Sequence, residues 1–474
     1  MISKNLKKYI PLCMTLLFAT GLQSQEVMSL KRCREMALAK SENLKMADKT
    51  LEKANAEKKA MRTLYLPSVS GSATGVYLKD NFEMEMYLPT VTPDLTTGEL
   101  TPNIMINPGT GQPVIGADGN PVFNMYAWLP IDLSLKGAYM AGVSVEQPLF
   151  TGGKILAANK MAGIGIEMAH ENRDLQQMNT LAEADQTYWL YVSVTEKVKL
   201  AKKSVELLNS LVERVQNSYE TGMVNKNELL KIQVQYNKAT LDFQKAQSGL
   251  QLTRMSLCRV TGLSFDTPIM ATDTIVEFSN TLLSEFGSED ATLRPEYKLM
   301  EYSIALEEEN IKITRAEYLP TAGLSAGYTH LGGIELSGTD YNNSNLNVMA
   351  SVKIPLFQWG KGKQKIAVAR IDKELKELEL EKNIQLLQLE IEQSKLNLQD
   401  AWLRISITET SLKQAEENLR VSNDNYELGA ELITDLLIAQ AQWQNAFSEL
   451  IDAKTDFKLK ETLYLKTTAK LLLK

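Results

Sequence analysis

Two acidic residues stand in matching positions after two glycines, and they are the first side chains of the chain to suggest chemistry. In "YETGMVNKNELLKIQVQ", Glu228 follows Gly222 by six residues, and in "YELGAELITDLLIAQAQ", Asp435 follows Gly429 by the same spacing. Glycine supplies the left-handed conformation that ends a helix, and the positive end of the next helix favours a nearby acid. The pattern predicts two helix-turn-helix tips, each with a carboxylate that either starts the returning helix or serves a function there.

Residue types that perform catalysis or bind metals are otherwise scattered. The only histidines, His170 and His330, are isolated, and the chain has no Cys/His cluster, nucleophile elbow, phosphate loop or HExxH motif. Cys33 and Cys258 are most simply two small buried hydrophobic residues, and whether they form a disulfide stays open. We therefore expect no enzyme, no cofactor and no metal site.

Composition and the first residues indicate an exported, folded protein. Hydrophobic residues make up 44% and charged residues 23%, as in ordinary folded chains. A net charge of −7 without a concentrated basic run argues against nucleic-acid binding. Residues 1–24 combine lysines, a short apolar stretch and a polar end, which predicts a signal peptide cleaved near Ser24. Cys13 lies inside the apolar stretch, which disfavours a lipoprotein, and no later stretch has the roughly 20 apolar residues of a membrane-spanning helix.

The matching tips belong to an internal duplication of the chain. "LYLPSVSGSATGVY" answers "EYLPTAGLSAGYTH", and "VEQPLFTGGK" answers "VKIPLFQWGKGK". The separation from Pro148 to Pro355 equals that from Gly222 to Gly429. The first copy also holds a Pro/Gly/Asn-rich insertion, "LPTVTPDLTTGELTPNIMINPGTGQPVIGADGNP", which predicts a long loop. Each copy thus predicts a helix, two strands, a long helix, a glycine break and a returning helix.

The predicted strands alternate in character. "AYMAGVSV" and "LNVMASVKI" place apolar side chains on one face, which is the mark of half-buried strands. Soluble antiparallel sheets and transmembrane barrel strands both alternate in this way. Aromatic residues gather at membrane interfaces and therefore favour the membrane alternative. They lie near the strand ends at Tyr77, Phe150, Tyr328, Phe357 and Trp359.

The helices give the stronger pattern. No proline interrupts residues 154–222 or 361–429, and at about 1.5 Å per residue each helix would be roughly 100 Å long. In "IDKELKELELEKNIQLLQLEIEQSKLNLQDAWLRI" the apolar residues are too dense for one seam, which favours lateral packing on two sides. An ordinary antiparallel coiled coil, with a narrower apolar stripe, is the alternative.

The two tips differ in how the returning helix can begin. Asn225, with Glu228 three residues later, is a good capping pair. Leu432 stands at the equivalent position of the second copy and has no side-chain oxygen, although Asp435 keeps the favourable site near the helix start. We expect the first tip to stay fixed and the second tip to move.

The signal peptide, the duplicated strand-loop-strand, the paired Pro-Leu-Phe entries and the two "Y-x-x-G-x(5)-[DE]-[LV]-L" breaks resemble the TolC-like outer-membrane efflux proteins. The resemblance covers essentially the whole mature chain. It implies a mostly α-helical, internally duplicated homotrimer with a small β part. Long coiled-coil helices would form a trimeric α-barrel in the periplasm, and four strands per subunit would form a 12-stranded transmembrane β-barrel.

The function implied by the resemblance is an outer-membrane exit duct of a tripartite efflux or type I secretion system. Such a duct passes small molecules or proteins from an inner-membrane pump across the periplasm and outer membrane, and is gated at the periplasmic helix tips. The implied partners are a periplasmic adaptor (membrane fusion) protein, the pump and outer-membrane lipid. The alternative is a soluble periplasmic coiled-coil adaptor, but adaptors usually carry one hairpin with flanking β-rich domains, whereas this chain carries two.

The resemblance also implies roles for individual tip residues. It implies a pore gate at which Asp435 of three subunits forms an acidic ring that favours cations. Ile438 replaces a second family aspartate and Glu431 replaces a family arginine, so a double ring and an arginine lock do not carry over. Glu431 is a second candidate gate residue, and Glu228 is a candidate partner for the hydroxyl of Tyr426. The candidate tip and adaptor-docking residues are Gly222, Gly429, Tyr219, Tyr426, Asn225 and Glu228.

The predicted segments follow this scheme. They are a signal peptide (1–24), an N-terminal helix (25–66), barrel strands 1 and 2 with a long extracellular insertion (67–150), the first α-barrel hairpin (151–260), an equatorial linker (261–292), a helix (293–319), barrel strands 3 and 4 (320–358), and the second hairpin with the C-terminal helix (359–474).

Overall fold

The computed structural model describes residues 26–89, 91–94, 96–124, 128–274, 289–336 and 338–473. The helices are α1 (Leu30–Lys40), α2 (Glu42–Thr63), α3 (Lys154–Glu220), α4 (Lys226–Thr261), α5 (Pro295–Ala316), α6 (Lys361–Glu427) and α7 (Ile433–Thr467). The strands are β1 (Glu26–Met28), β2 (Ser68–Pro89), β3 (Val91–Pro93), β4 (Leu100–Pro102), β5 (Trp128–Phe150), β6 (Ile269–Ala271), β7 (Thr321–Leu336) and β8 (Thr339–Lys353). The predicted signal peptide, with Cys13, lies outside the described residues.

The two copies of the sequence fold into matching elements. α3 and α6 each contain 67 residues, which corresponds to roughly 100 Å of helix. Each is followed by a short turn and a returning helix, α4 or α7. Both long helices and both glycine turns are therefore present as the sequence predicts. Among the described residues, no helix is long and apolar enough to cross a membrane.

The four longest strands form one antiparallel sheet in the order β2-β5-β7-β8. β2 pairs with β5, β5 with β7, and β7 with β8. Every residue of β8 is exposed. Within the described chain, the outer edges of β2 and β8 pair with no other strand. The sheet therefore has two open edges, each with backbone groups available for another strand.

The insertion between β2 and β5 has more structure than the predicted loop. β3 pairs with β4, and isolated bridges join Ile104 to Phe123, Ile106 to Pro113 and Ile115 to Pro121. Its turns are closed locally, because Asp94 accepts a hydrogen bond from the Thr96 N–H and Asp118 accepts one from the Asn120 N–H. Such side-chain turns bring the short extended pieces together.

The N-terminal segment is not the single helix predicted over residues 25–66. β1 opens it and pairs in parallel with β6, and the helix breaks at Ser41, between α1 and α2. The Ser41 hydroxyl accepts a hydrogen bond from the Leu44 N–H at 3.2 Å. Serine side chains compete in this way for backbone donors, so a new helix starts where the apolar pattern alone predicts continuity.

The chain forms two compact units. One contains the described residues up to 55 together with those in 164–305 and 373–474, and the other contains 56–163 and 306–372. The linker predicted over 261–292 contributes β6 and a short 3₁₀ turn at Ala291–Leu293. Its residues 275–288 lie outside the described residues.

The largest core cluster belongs to the first unit and contains both cysteines. Cys33 and Cys258 are free thiols with no exposed surface, packed among residues such as Tyr188 and Leu257. Burial, followed by the nearby Asp185 carboxylate, raises the pKa of the Cys33 thiol to about 12. The cysteines therefore act as small hydrophobic residues, as predicted.

A buried ion pair and a hydrogen bond to the same carboxylate join three helices of this unit. Asp185 of α3 is fully buried and accepts two hydrogen bonds from the Arg34 guanidinium of α1, at 2.7 and 2.6 Å. The Thr462 hydroxyl of α7 donates a third, at 2.9 Å. Removal of one charged partner would leave the other uncompensated, at a cost of about 3–5 kcal/mol.

Candidate functional site at the helical hairpin tips

The first tip ends α3 with a left-handed glycine turn. Gly222 has a φ of 77°, its N–H donates to the Tyr219 carbonyl at 3.0 Å, and the Met223 N–H donates to the Ser218 carbonyl at 2.8 Å. This pair of bonds is the Schellman arrangement, which satisfies carbonyls at the end of a helix. A residue with a Cβ is disfavoured at this φ, which explains the glycine.

The second tip repeats this turn bond for bond. Gly429 has a φ of 75°, its N–H donates to the Tyr426 carbonyl at 3.0 Å, and the Ala430 N–H donates to the Asn425 carbonyl at 2.9 Å. The backbone that ends α6 is therefore the same as the backbone that ends α3. Tyr219 and Tyr426 occupy the same position in the two turns.

The returning helices start differently. The Asn225 side chain accepts a hydrogen bond from the Glu228 N–H at 3.1 Å and so caps α4. Leu432 takes the equivalent backbone conformation before α7 and provides no side-chain cap. Both observations agree with the sequence. Asp435 lies in the first turn of α7, where the helix dipole favours a negative charge.

Glu431 points back to the helix that precedes it. Its carboxylate accepts hydrogen bonds from the Ser422 hydroxyl and, at 3.4 Å, from the Asn425 side-chain amide. Ser422 is only 4% exposed. The structure thus gives this candidate gate residue a contact inside its own hairpin that the sequence does not reveal.

One apolar cluster joins the helix ends of both tips. Its buried members are Leu211 and Val215 of α3, Leu229 and Ile232 of α4, and Ile433 and Leu436 of α7. Partly buried side chains of α6, Leu419 and Tyr426, pack against it. The two tips are therefore held together by burial of apolar surface, which is the dominant favourable term in packing.

Polar contacts around this cluster also link the two hairpins. The Arg214 guanidinium contacts the Glu427 carboxylate at 2.6 Å and the Asn423 side-chain oxygen at 3.3 Å, which joins α3 to α6. Lys231 of α4 donates to the Thr434 hydroxyl of α7 at 3.3 Å. The ion pair is about half exposed on both sides, so its net contribution is small, about 0.2–1 kcal/mol.

Tyr426 is the more enclosed of the two equivalent tyrosines. Burial, followed by the Glu228 carboxylate, raises the pKa of the Tyr426 phenol above 10, and Arg214 lowers it by a smaller amount. The phenol and the carboxylate are thus close enough to interact electrostatically. Tyr219 is 38% exposed.

Asp435 presents an exposed carboxylate on α7. One turn later Ile438 is 51% exposed, so this face of the helix start carries one acid followed by an apolar side chain. An exposed carboxylate is accessible to a cation. In the described part of the chain, no group of three or more His, Cys, Asp or Glu side chains is arranged to hold a metal ion.

The sequence predicted neither the role of Ser422 nor that of Ile433. A residue-by-residue alignment of the two copies gives a signal at both positions, because the residue types differ there. Ser422 stands where the first copy has the buried Val215, and Ile433 stands where it has the exposed Lys226. A polar residue at a core position is the informative type of exception.

Comparison with known proteins gives a family and a fold. The model of a family described as outer membrane efflux protein matches residues 114–263 and 292–462. A protein named "Probable outer membrane lipoprotein SilC" from Salmonella typhimurium is 22% identical over 283 residues, which cover 57% of this chain and 60% of that protein. The aligned part of this chain therefore spans less than two thirds of that relative.

Solved structures agree over almost the whole chain. The Campylobacter jejuni CmeC outer membrane channel has a TM-score of 0.69 and 16% identity, covering 93% of this chain and 85% of that one. The Vibrio cholerae outer membrane protein VceC has a TM-score of 0.69 and 15% identity, covering 93% of this chain and 95% of that one. At such identities the likeness establishes the fold.

Proposed function

The chain belongs to the outer membrane efflux protein family, and from this premise we propose that it forms an outer-membrane exit duct with its helices in the periplasm. The observation that carries the proposal is the pair of duplicated hairpins, each joined to strands of a sheet with two open edges. Neither the residues of the tips nor the relatives point to catalysis. The duct passes small molecules or proteins delivered by an inner-membrane pump.

The open sheet supports a homotrimer. Four strands are too few to close a barrel, and a sheet with open edges is not tolerated in lipid. Pairing β8 of one copy with β2 of the next satisfies both edges, and three copies give 12 strands. This closure turns an open sheet with a fully exposed edge strand into a channel wall.

A stripe on α6 supports lateral packing between copies. Leucines recur along this helix at coiled-coil spacing, and each is more than half exposed in the single chain. The stripe consists of Leu375, Leu378, Leu386, Leu389, Leu396 and Leu403. Such a row is normally covered by a neighbouring helix. A helix of the adjacent copy covers it in the proposed α-barrel.

The gate is assigned to the second tip. Threefold symmetry turns each exposed Asp435 into a ring of three carboxylates, and a ring of acids attracts cations and excludes anions. Ile438 makes this a single acidic ring followed by an apolar one. The Glu431 carboxylate is hydrogen-bonded to Ser422 and Asn425, so Glu431 acts on the conformation of the tip. Asp435 acts on the permeating ion.

The tips are also the proposed docking site for a periplasmic adaptor and, through it, for the pump. Met223 and Leu428, one in each turn, are 81% and 82% exposed. A groove of about 630 Å³ between α4 and α7 is lined partly by the exposed side chains of Leu230, Val234 and Ile438. Exposed apolar residues beside a groove are typical of a surface that binds another protein.

The test combines assembly with ion block. The wild-type protein is expected to fractionate with the outer membrane, to run as a trimer in mild detergent and to conduct ions in planar bilayers. Recovery as a soluble periplasmic monomer would support the adaptor alternative and contradict the duct.

Asp435→Asn is expected to weaken block of the channel by trivalent cations by at least about tenfold, because three charges leave one narrow ring. Glu228→Gln, at the equivalent position of the first tip, is the matched control and is expected to leave block nearly unchanged. Equal effects of the two substitutions would remove Asp435 from the gate.

A further inference from the structure

The two tips carry different chemistry at the same two positions. In the first tip these positions are Val215 and Val224, where Val215 is 1% exposed and Val224 packs against the apolar cluster that contains it. In the second tip they are Ser422 and Glu431, which are joined by a hydrogen bond. The first tip thus has apolar side chains at the two positions where the second tip has a hydrogen-bonded polar pair.

The polar contact depends on the glycine turn. Gly429 reverses the chain after α6, and this reversal brings the Glu431 carboxylate back to Ser422, nine residues earlier. Asn425 lies between them on the same helix and donates its side-chain amide to the other carboxylate oxygen at 3.4 Å. All three residues belong to α6 or the turn, and none belongs to α7.

The two contacts differ in what happens when they separate. Separating Val224 from the apolar cluster exposes apolar surface to water, which is unfavourable in proportion to the area. Separating a carboxylate from a hydroxyl exchanges their hydrogen bond for hydrogen bonds to water, so much of its strength is recovered. The second tip can therefore release its turn from α6 more easily than the first tip can release its turn from α3.

We propose that Ser422, Asn425 and Glu431 form a latch that holds the second tip in its resting, low-conductance form, and that release of this latch is a step in opening. The proposal rests on the proposed duct function. Glu431 is a positioning residue: it acts on the turn at Gly429 and through it on Asp435. The polar latch lets the turn of the second hairpin separate reversibly from α6, whereas the turn of the first hairpin stays packed against its cluster.

The first test measures the latch in single-channel recordings from the full-length trimer. Glu431→Ala and Ser422→Ala are each expected to raise the ratio of open to closed time about tenfold, the order of magnitude of one charge-assisted hydrogen bond. The double variant is expected to open no more than Glu431→Ala alone, because that substitution already breaks the contact with Ser422. Glu431→Gln keeps an oxygen that accepts from Ser422 and is expected to restore part of the closed time.

Matched variants of the first tip provide the control. Val224→Ala is expected to lower the thermal midpoint without changing the ratio of open to closed time. Ser422→Val combined with Glu431→Val gives the second tip the apolar pair of the first tip. This double variant is expected to open less often than the wild type.

Hydrogen–deuterium exchange gives a readout that does not require conductance. In Ser422→Ala, amides 428–432 are expected to exchange about tenfold faster, whereas amides 221–225 of the first tip keep the wild-type rate. A wild-type protein without any conductance contradicts the proposed duct. Wild-type gating and wild-type exchange in both alanine variants, or additive effects in the double variant, overturn the latch alone.

Discussion

The two hairpin tips share one backbone turn but anchor the returning helix in different ways. The first tip uses a polar cap, Asn225, and continues with the exposed Lys226. The second has no side-chain cap at Leu432 and instead buries Ile433 in the apolar cluster, where it is 2% exposed. The first tip is therefore stabilised by a polar helix cap, and the second by burial of an apolar side chain.

This difference shows which part of a duplicated tip is free to change. The left-handed glycine and the two backbone bonds around it must stay, since few other residues tolerate that conformation. The side chains after the turn can differ without altering it: one copy has a polar cap, and the other has a buried apolar residue. The expectation that a missing cap leaves the second tip loosely held is thus incomplete, because Ile433 anchors α7 and the latch ties the turn to α6.

The largest expected effect comes from removing the apolar anchor. Ile433→Ala should lower the free energy of local opening at the start of α7 by about 2–5 kcal/mol, the usual cost of deleting a buried isoleucine side chain. Lys226→Ala, at the equivalent exposed position, should change the opening of α4 by less than about 0.5 kcal/mol. Native-state hydrogen exchange in the second turn of each helix measures both values. Similar small values at the two sites would show that α7 does not depend on the cluster.

A cap exchange is expected to have a smaller effect. Asn225→Ala should destabilise the start of α4 by about 1 kcal/mol, because the Glu228 N–H loses its acceptor. Leu432→Asn should stabilise the start of α7 by a similar amount, since the backbone there already has the conformation of a capping residue. Native-state hydrogen exchange in the second turn of each helix measures both effects.

Leu432→Ala separates the cap from the loss of an exposed leucine, because it removes the side chain without adding an acceptor. If Leu432→Ala and Leu432→Asn protect the start of α7 equally from hydrogen exchange, the cap is not the cause of the stabilisation. If Asn225→Ala leaves α4 unchanged, Asn225 is not the feature that distinguishes the first tip.

The sequence predicted those features that depend on local spacing. The glycine turns, the two proline-free helices and the Asn225 cap each depend on residues within a few positions of one another, and each is present. The four long strands of the sheet followed from the duplicated strand pairs and the resemblance. The sequence rules for helix ends and turns apply directly to residues that are this close in the chain.

Features that depend on distant residues escaped prediction. The ion pair between Arg34 and Asp185 joins positions 151 residues apart, so no local pattern reveals it. The Glu431 contact is closer in sequence but exists only because the turn folds the chain back. Ser41 was missed for the opposite reason, since a single local capping residue interrupts an otherwise continuous helical pattern.

The smallest expected effect concerns Tyr426, a titrating group that senses both tips. Tyr426 belongs to the second tip, and the Glu228 carboxylate of the first raises its pKa in addition to burial. Glu228→Gln should therefore lower the pKa of Tyr426 while leaving it above 10, because burial is the larger cause. Arg214→Ala should raise it, because the guanidinium lowers it in the native protein.

Ultraviolet titration, taken as the difference from Tyr426→Phe, measures these shifts. A phenol whose pKa is raised by folding contributes stability that is complete below about pH 10 and is lost as the pH rises through the folded value. Glu228→Gln should reduce that contribution and move its loss to lower pH. A pKa that is insensitive to Glu228 would mean that the two tips are joined by their apolar cluster and ion pair without this contact. A pKa that responds to Glu228 would make Tyr426 a reporter of whether the second tip has moved away from the first.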